Sequence, residues 1–94
     1  MTTYTINFTI TGDDSSFEDE TDKEAVNDTC ETLEPHPTAI IFDDDHCHCY
    51  LQFTVEAETQ FKAALIQNAI SKKLRKTPLS KFYISSENPS EDGD

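Results

Sequence analysis

Glycine and tryptophan are nearly missing from this sequence, which has two glycines and no tryptophan among 94 residues. Two glycines are too few for a glycine-rich loop that holds a nucleotide phosphate, and neither a Gly-x-Ser-x-Gly nor a His-Glu-x-x-His motif occurs. Such motifs position the phosphate, the nucleophile or the metal in many enzymes. Without them, we expect a protein that is not an enzyme and that uses no cofactor.

Long apolar runs are missing as well. A membrane-spanning helix needs about 18 or more consecutive apolar residues, and no segment comes close. The first residues, Met1 to Tyr4, do not combine basic residues with an apolar stretch as a signal peptide does. We therefore expect a cytoplasmic protein that does not bind membranes. Its three cysteines are an odd number, and we expect reduced thiols.

Basic side chains are few: seven lysines and arginines oppose nineteen aspartates and glutamates, for a formal charge of −12. A surface of this sign repels phosphate backbones and anionic lipids, so we expect no direct binding to nucleic acid. The charge is also segregated, because residues 1–61 carry fifteen acids and one base, whereas residues 62–81 carry six bases and no acid. Most of these bases, from Lys72 to Lys81, fall at the end of a predicted helix, where cations offset the negative end of the helix dipole. A further role for them is left open.

Alternation of apolar and polar residues predicts the strands. Two alternating runs, at residues 3–11 and 46–56, have the pattern of strands with one buried face. Shorter runs rich in β-branched and aromatic residues, at 38–42 and 81–85, predict two more strands. The sheet is therefore expected to contain four strands.

Two helices are predicted between these strands. Thr21 and Glu24 form a capping box that precedes a short helix at about residues 22–34. A longer helix is predicted from about residue 58 to residue 75. Its apolar residues recur at helical spacing and are expected to form the buried stripe: Phe61, Leu65, Ile66, Ala69, Ile70 and Leu74.

The resulting order, β-α-β-β-α-β, is that of the α+β ferredoxin-like, split βαβ sandwich. In that fold, two helices cover one face of a four-stranded antiparallel sheet. Residues 1–86 are expected to form this single domain. Residues 87–94 are polar and acidic without an apolar anchor, so we expect a disordered tail.

The face of the sheet opposite the helices is predicted to be open and polar, with Tyr50 and Tyr83 on it. One alternative function is therefore a homodimeric interaction module that pairs two open faces. A large RNA-binding family stacks bases on such a face. The strand at residues 47–55 lacks the basic, glycine-containing signature of that family, so we do not assign the chain to it.

The segment Asp43–Cys49 contains seven potential metal ligands. Structural zinc sites usually take ligands in two pairs, and the sequence has no second pair elsewhere. In a regular strand, His46 and His48 face one side while Cys47 and Cys49 face the other, so the four cannot surround one ion. We interpret the cysteines as buried and the histidines as exposed. His46 and His48 remain the candidate ligands of another alternative, a metal-binding or structural subunit.

Carboxylates concentrate in residues 12–20, in the turn at 43–45 and around Asp28, Glu31 and Glu34. A dense array of carboxylates resembles the phosphates of a nucleic acid and attracts a groove lined with lysine and arginine. The alternative is that the acidity only keeps the protein soluble. The residues expected to bind such a partner are Asp13, Asp14, Glu18, Asp19, Glu20, Asp43, Asp44, Asp45 and Tyr50.

In size, acidity and lack of catalytic motifs, the whole chain resembles small phage-encoded inhibitors of bacterial defence systems, including acidic anti-CRISPR proteins that imitate nucleic acid. The resemblance is one of physical type and has no diagnostic motif. It implies a non-enzymatic inhibitor that occupies the nucleic-acid-binding groove of another protein.

Overall fold

The computed structural model describes residues 1–13 and 16–91, which form a small α+β protein with two helices and a five-stranded antiparallel sheet. The strands are β1 (Thr2–Thr11), β2 (Ala39–Phe42), β3 (His48–Ala57), β4 (Tyr83–Ser86) and β5 (Ser90–Glu91). The helices are α1 (Glu20–Thr32) and α2 (Gln60–Leu74), and two short 3-10 helices span Ser16–Glu18 and Pro78–Lys81. Among the described residues, no helix is both long and apolar enough to cross a membrane.

The sheet is built around β1, whose regular alternation gives one wholly buried face. β1 pairs with β3 along its full length, from Thr2 opposite Ala57 to Thr11 opposite His48. The strand order is β2-β3-β1-β4, and β5 also pairs with β1. The four predicted strands are therefore present, but the predicted strand count is wrong, because the sequence pattern did not indicate the two-residue β5.

The end of the chain is more ordered than the sequence predicts. Residues 87–94 are predicted to be a disordered tail, yet Ser90 and Glu91 pair with β1. Pro89 is buried and supplies the anchor that the composition did not indicate, because its carbonyl accepts a 3.0 Å hydrogen bond from Gln60 Nε2. Residues 92–94 of the predicted tail lie outside the described residues.

The helix α1 begins earlier than predicted because a different residue caps it. Asp19 is the N-cap, and its carboxylate accepts a 2.9 Å hydrogen bond from the Thr21 N–H. Aspartate is as good a cap as threonine, so the predicted capping box at Thr21 is wrong by two residues. The buried positions of α1 are Val26, Thr29 and Cys30.

The helix α2 lies where the sequence predicts it, but it turns a different face inward. Phe61 is 73% exposed and Leu65 is 52% exposed, whereas Gln67 is buried. Gln67 is accommodated because its Nε2 donates to Ser86 Oγ at 2.7 Å and to the Glu87 carbonyl at 2.8 Å. A hydropathy pattern cannot show such a satisfied amide, and the predicted stripe is therefore wrong in part. The buried face comprises Ala63, Gln67, Ile70 and Leu74.

One core unites the inner face of the sheet with residues of both helices. Phe8 of β1 and Phe53 of β3 meet edge to face at its centre, with ring centroids 5.6 Å apart. The opposite face of the sheet carries the polar residues of the same strands, such as Thr5 opposite Thr54 and Asn7 opposite Gln52. The alternation in the sequence thus separates a buried face from a polar one.

Candidate functional site

Two acidic segments meet at one end of the sheet. We name residues 12–20 the acidic loop and residues 43–47 the acidic turn. The Gly12 N–H donates to the Cys47 carbonyl at 2.8 Å, and the Phe17 N–H donates to the His46 carbonyl at 2.7 Å. Because these bonds join main chain to main chain, the acidic loop runs directly beside the acidic turn.

The acidic loop is held from beneath by one aromatic side chain. Phe17 is fully buried, and its ring lies 5.6 Å from that of Phe42 and 5.2 Å from that of Phe82. Gly12 allows the chain to turn tightly there, since a Cβ atom at this position would lie only 2.5 Å from Ser16 Oγ. Phe17 therefore anchors the acidic loop to the core.

The structure brings together most of the carboxylates predicted to bind a partner. In the acidic loop, Asp13, Glu18, Asp19 and Glu20 are exposed. In the acidic turn, Asp44 and Asp45 are exposed and Asp43 is half-buried. Asp14 lies outside the described residues. These carboxylates belong to two segments that are distant in the sequence but hydrogen-bonded to each other through the main chain. We name the described acids of the two segments the acidic surface.

Two lysines border this surface. Lys81 Nζ lies 2.9 Å from Asp22 Oδ1, and the ammonium of Lys23 lies 5.7 Å from the centre of the Phe42 ring. Asp22 is thus neutralised by an ion pair within the protein. Two further bases make contacts within the protein: Lys62 pairs with Glu58, and Lys73 donates to the Glu34 carbonyl.

Tyr50 is attached to the acidic turn by a hydrogen bond. Its hydroxyl donates to Asp43 Oδ2 at 3.0 Å, and its ring lies parallel to that of His48, with centroids 6.4 Å apart. The hydrogen bond to Asp43, followed by burial and the neighbouring negative charges, raises the pKa of Tyr50. The hydroxyl consequently stays protonated and fixes Asp43.

Asp45 organises the turn itself. Its Oδ1 accepts the backbone N–H groups of Cys47 at 2.9 Å and His48 at 3.1 Å, and its Oδ2 lies 2.5 Å from His48 Nδ1. The backbone hydrogen bond from Cys47, followed by the one from the His48 side chain, lowers the pKa of Asp45 to about 2. Asp45 therefore remains a carboxylate at every physiological pH.

The predicted alternation breaks down just before β3. The strand starts at His48, and His46 has a φ of 60°, in the left-handed region, so residues 46 and 47 are not part of a regular strand. Cys47, predicted to be buried, is half-buried, and its Sγ lies 3.3 Å from His48 Nδ1. The prediction that the histidines and the cysteines face opposite sides is therefore wrong for Cys47 and His48, whose side chains are in contact. Cys49, by contrast, is buried as predicted.

The other two thiols are chemically silent. Burial raises the pKa of Cys30 to about 11, and burial together with the charge of Cys30 raises the pKa of Cys49 to about 12. Both thiols are buried and protonated at neutral pH, which disfavours either as a nucleophile.

The open face of the sheet carries three large exposed or half-buried side chains. Ile41 of β2 lies opposite Tyr50 of β3, and Tyr83 of β4 lies opposite Thr11 of β1. The two tyrosines therefore lie on strands separated by β1, with Thr9 and Thr11 between them. A homodimer through this face stays a prediction that light scattering can test.

Sequence reasoning missed the grouping of Asp45, Cys47 and His48. Their ligand atoms all lie within 4.8 Å of one another, and no other such group of three occurs among residues 1–13 and 16–91. The available signal was Asp45 itself. An aspartate side chain often accepts a hydrogen bond from the backbone N–H two residues later, and this Asx turn brings the following residues close to the carboxylate.

Comparisons with known proteins identify no relative: no protein-family model, no curated protein and no solved structure matches this chain.

Proposed function

We propose that this protein is a small acidic inhibitor, without enzymatic activity, that binds the basic nucleic-acid-binding groove of another protein by imitating nucleic acid. The protein would then act like the acidic anti-CRISPR proteins of phages that imitate nucleic acid. One observation carries the proposal: the acidic loop and the acidic turn are joined by main-chain hydrogen bonds into a single surface. A basic groove recognises such an array of negative charge without reading any base.

Two of these carboxylates are already fixed in the free protein. Asp43 accepts hydrogen bonds from the Tyr50 hydroxyl and the Asp44 N–H, and Asp45 accepts two backbone N–H groups. Backbone N–H and phenolic O–H groups are neutral, so they orient the carboxylates without cancelling their charge. Preorganised groups lose less entropy on binding, which favours association with a rigid groove.

The net charge of −12 also acts at a distance. Opposite potentials on two proteins steer them together and raise the association rate, and salt weakens this steering because it shortens the range of the field. The bound inhibitor occupies the groove of its partner, and nucleic acid therefore cannot bind there. The mechanism makes and breaks no covalent bond.

We further propose that the fold is a variant of the ferredoxin-like sandwich with an added edge strand. Its support is the strand order β2-β3-β1-β4 together with the element order of the first four strands and the two helices. In this interpretation β5 extends the sheet beside β4 along β1. The acidic surface lies where β1 ends and β3 begins.

A pair of charge-matched variants tests the function. The loop–turn variant converts four exposed acids of the proposed surface to amides: Asp13→Asn, Glu18→Gln, Glu20→Gln and Asp44→Asn. The distal variant converts four exposed acids elsewhere: Glu34→Gln, Glu56→Gln, Glu87→Gln and Glu91→Gln. Both lose the same charge, and both keep Asp43 and Asp45.

Each tagged protein is used for affinity capture from a native cell lysate, and bound proteins are eluted with a nucleic-acid oligonucleotide. We expect a nucleic-acid-binding protein that the oligonucleotide displaces, that the distal variant still captures and that the loop–turn variant loses. If both variants capture the same proteins, or if nucleic acid displaces nothing, the acidity serves only solubility and the proposal fails.

A further inference from the structure

Three side chains at the start of β3 converge on one point beside the acidic turn. His48 Nδ1 lies 2.5 Å from Asp45 Oδ2 and 3.3 Å from Cys47 Sγ, and all three ligand atoms lie within 4.8 Å of one another. We propose that Asp45, Cys47 and His48 form a binding site for a divalent transition-metal ion of the Zn²⁺ class. This inference shares Asp45 with the proposed partner-binding surface, but it is tested by metal binding and not by partner binding.

The separations fit a metal site. Zinc binds cysteine sulfur at about 2.3 Å and histidine nitrogen or carboxylate oxygen at about 2.0–2.2 Å, so ligand atoms around a tetrahedral ion lie roughly 3.3–3.7 Å apart. The observed separations, from 2.5 to at most 4.8 Å, span this range. On binding an ion, Asp45 Oδ2 and His48 Nδ1 would move apart from 2.5 Å to about 3.3 Å.

Hydrogen bonds from the backbone orient the Asp45 carboxylate toward His48. The oxygen Oδ1 of Asp45 accepts the backbone N–H groups of Cys47 and His48, which leaves Oδ2 directed at the imidazole. Hydrogen bonds of this kind orient metal ligands and are a regular part of metal sites. The same two bonds tie the carboxylate to the residues that supply the other two ligands.

The geometry does not fit a cysteine nucleophile with its base. In a relay of carboxylate, histidine and nucleophile, the carboxylate holds one ring nitrogen and the nucleophile contacts the other. Here, Asp45 and Cys47 both approach Nδ1 of His48. One nitrogen cannot serve both partners of a relay, whereas one ion placed between the three atoms contacts all of them.

The ligand types determine the class of metal. A thiolate with an imidazole suits Zn²⁺ and related transition-metal ions, while Ca²⁺ and Mg²⁺ take oxygen ligands almost exclusively. The neighbouring carboxylates Asp43 and Asp44 raise the local concentration of any cation. Three protein ligands leave a fourth position for water or for a ligand from another molecule.

The first test titrates the reduced, chelator-treated protein with Zn²⁺ alone and with Co²⁺ alone. We expect one ion per chain, and with Co²⁺ the near-ultraviolet absorption of a thiolate–cobalt bond. Cys47→Ser should remove this absorption, and His48→Gln should weaken binding by about tenfold or more. His46→Gln and Asp44→Asn are the matched controls, because they alter neighbouring ligand-type side chains outside the group. His46→Gln should bind as the unaltered protein does, and Asp44→Asn should weaken binding much less than His48→Gln, because it removes only a nearby charge.

Two results would overturn the assignment. The first is that Co²⁺ binds without thiolate absorption and that Asp44→Asn weakens this binding as much as Cys47→Ser does. Such a result would mean that the ion is attracted by the overall charge of the acidic turn. The other is the absence of one-to-one binding by the folded protein. Circular dichroism of each variant establishes that the fold persists.

A second measurement requires no variant. Zn²⁺ at about ten times its dissociation constant should slow alkylation of Cys47 roughly tenfold, as read by mass spectrometry of the labelled peptides. The buried Cys30 and Cys49 should react slowly with and without the ion. Equal alkylation of Cys47 in the presence and absence of Zn²⁺ contradicts the site.

Discussion

The acidic loop and the acidic turn carry charge of the same sign on one surface, but the protein holds them by different means. The loop depends on Phe17, a buried ring beneath exposed carboxylates. The turn depends on its own carboxylates, since Asp43 and Asp45 accept hydrogen bonds from the residues around them. In the loop, the charged groups other than Asp19, which caps α1, can be changed without altering the anchor. In the turn, the charged groups Asp43 and Asp45 themselves stabilise the conformation.

This difference decides how the two segments respond to substitution. Amides at Asp13 or Glu18 remove charge and leave the position of the loop unchanged. An amide at Asp45 removes charge and also weakens the bonds that shape the turn. Variants of the two segments therefore separate electrostatics from structure, which a uniform acidic surface would not allow.

The largest expected effect comes from the loop anchor. Phe17→Ala should lower the free energy of unfolding by about 3–5 kcal/mol, because it removes a fully buried ring and leaves a cavity between Phe42 and Phe82. Urea denaturation measures this change. Phe61→Ala is the control, since its exposed ring should alter stability by no more than about 0.5 kcal/mol. Comparable losses for the two variants would show that the loop is not anchored as described.

A smaller effect is expected from Asp45, and it depends on pH. Because the pKa of this carboxyl is lowered from 3.8 to about 2 in the folded protein, its stabilisation is complete above pH 3.8. Below that pH the unfolded chain takes up the proton first, so the stabilisation disappears as the pH falls toward 2. The stability difference between the unaltered protein and Asp45→Asn should shrink over this interval.

Denaturation curves at several pH values measure this difference, and carboxyl NMR gives the midpoint directly. Asp44→Asn, which leaves both backbone hydrogen bonds to Asp45 intact, is the matched control. An Asp45 midpoint at 3.8 would mean that the hydrogen bonds of the turn do not favour the ionised carboxylate.

The comparison also shows which features the sequence could predict. The strands β1 and β3 follow from strict alternation, because a sheet with one buried face imposes a period of two residues. The meeting of the loop and the turn could not be predicted. It depends on Gly12 and Phe17 donating main-chain hydrogen bonds across to residues 46 and 47, and main-chain bonds leave no trace in side-chain patterns.

The group of Asp45, Cys47 and His48 could not be predicted either, because it depends on the local backbone geometry. The alternation rule assigns Cys47 and His48 to opposite faces, and this rule ends where His46 adopts a positive φ. On α2, the rule of apolar spacing assigned Phe61 to the core, whereas the hydrogen bonds of Gln67 place a polar residue there. In both places a specific polar interaction overrides a periodic pattern.

The central claim is that the joined acidic surface drives association with a basic groove, and its most direct measurement is the association rate with the captured partner as a function of ionic strength. We expect the rate of the unaltered protein and of the distal variant to fall about tenfold or more from low to high salt. The loop–turn variant should associate more slowly at low salt and depend less on salt. A rate independent of ionic strength, or identical salt dependence for the two charge-matched variants, would contradict the claim.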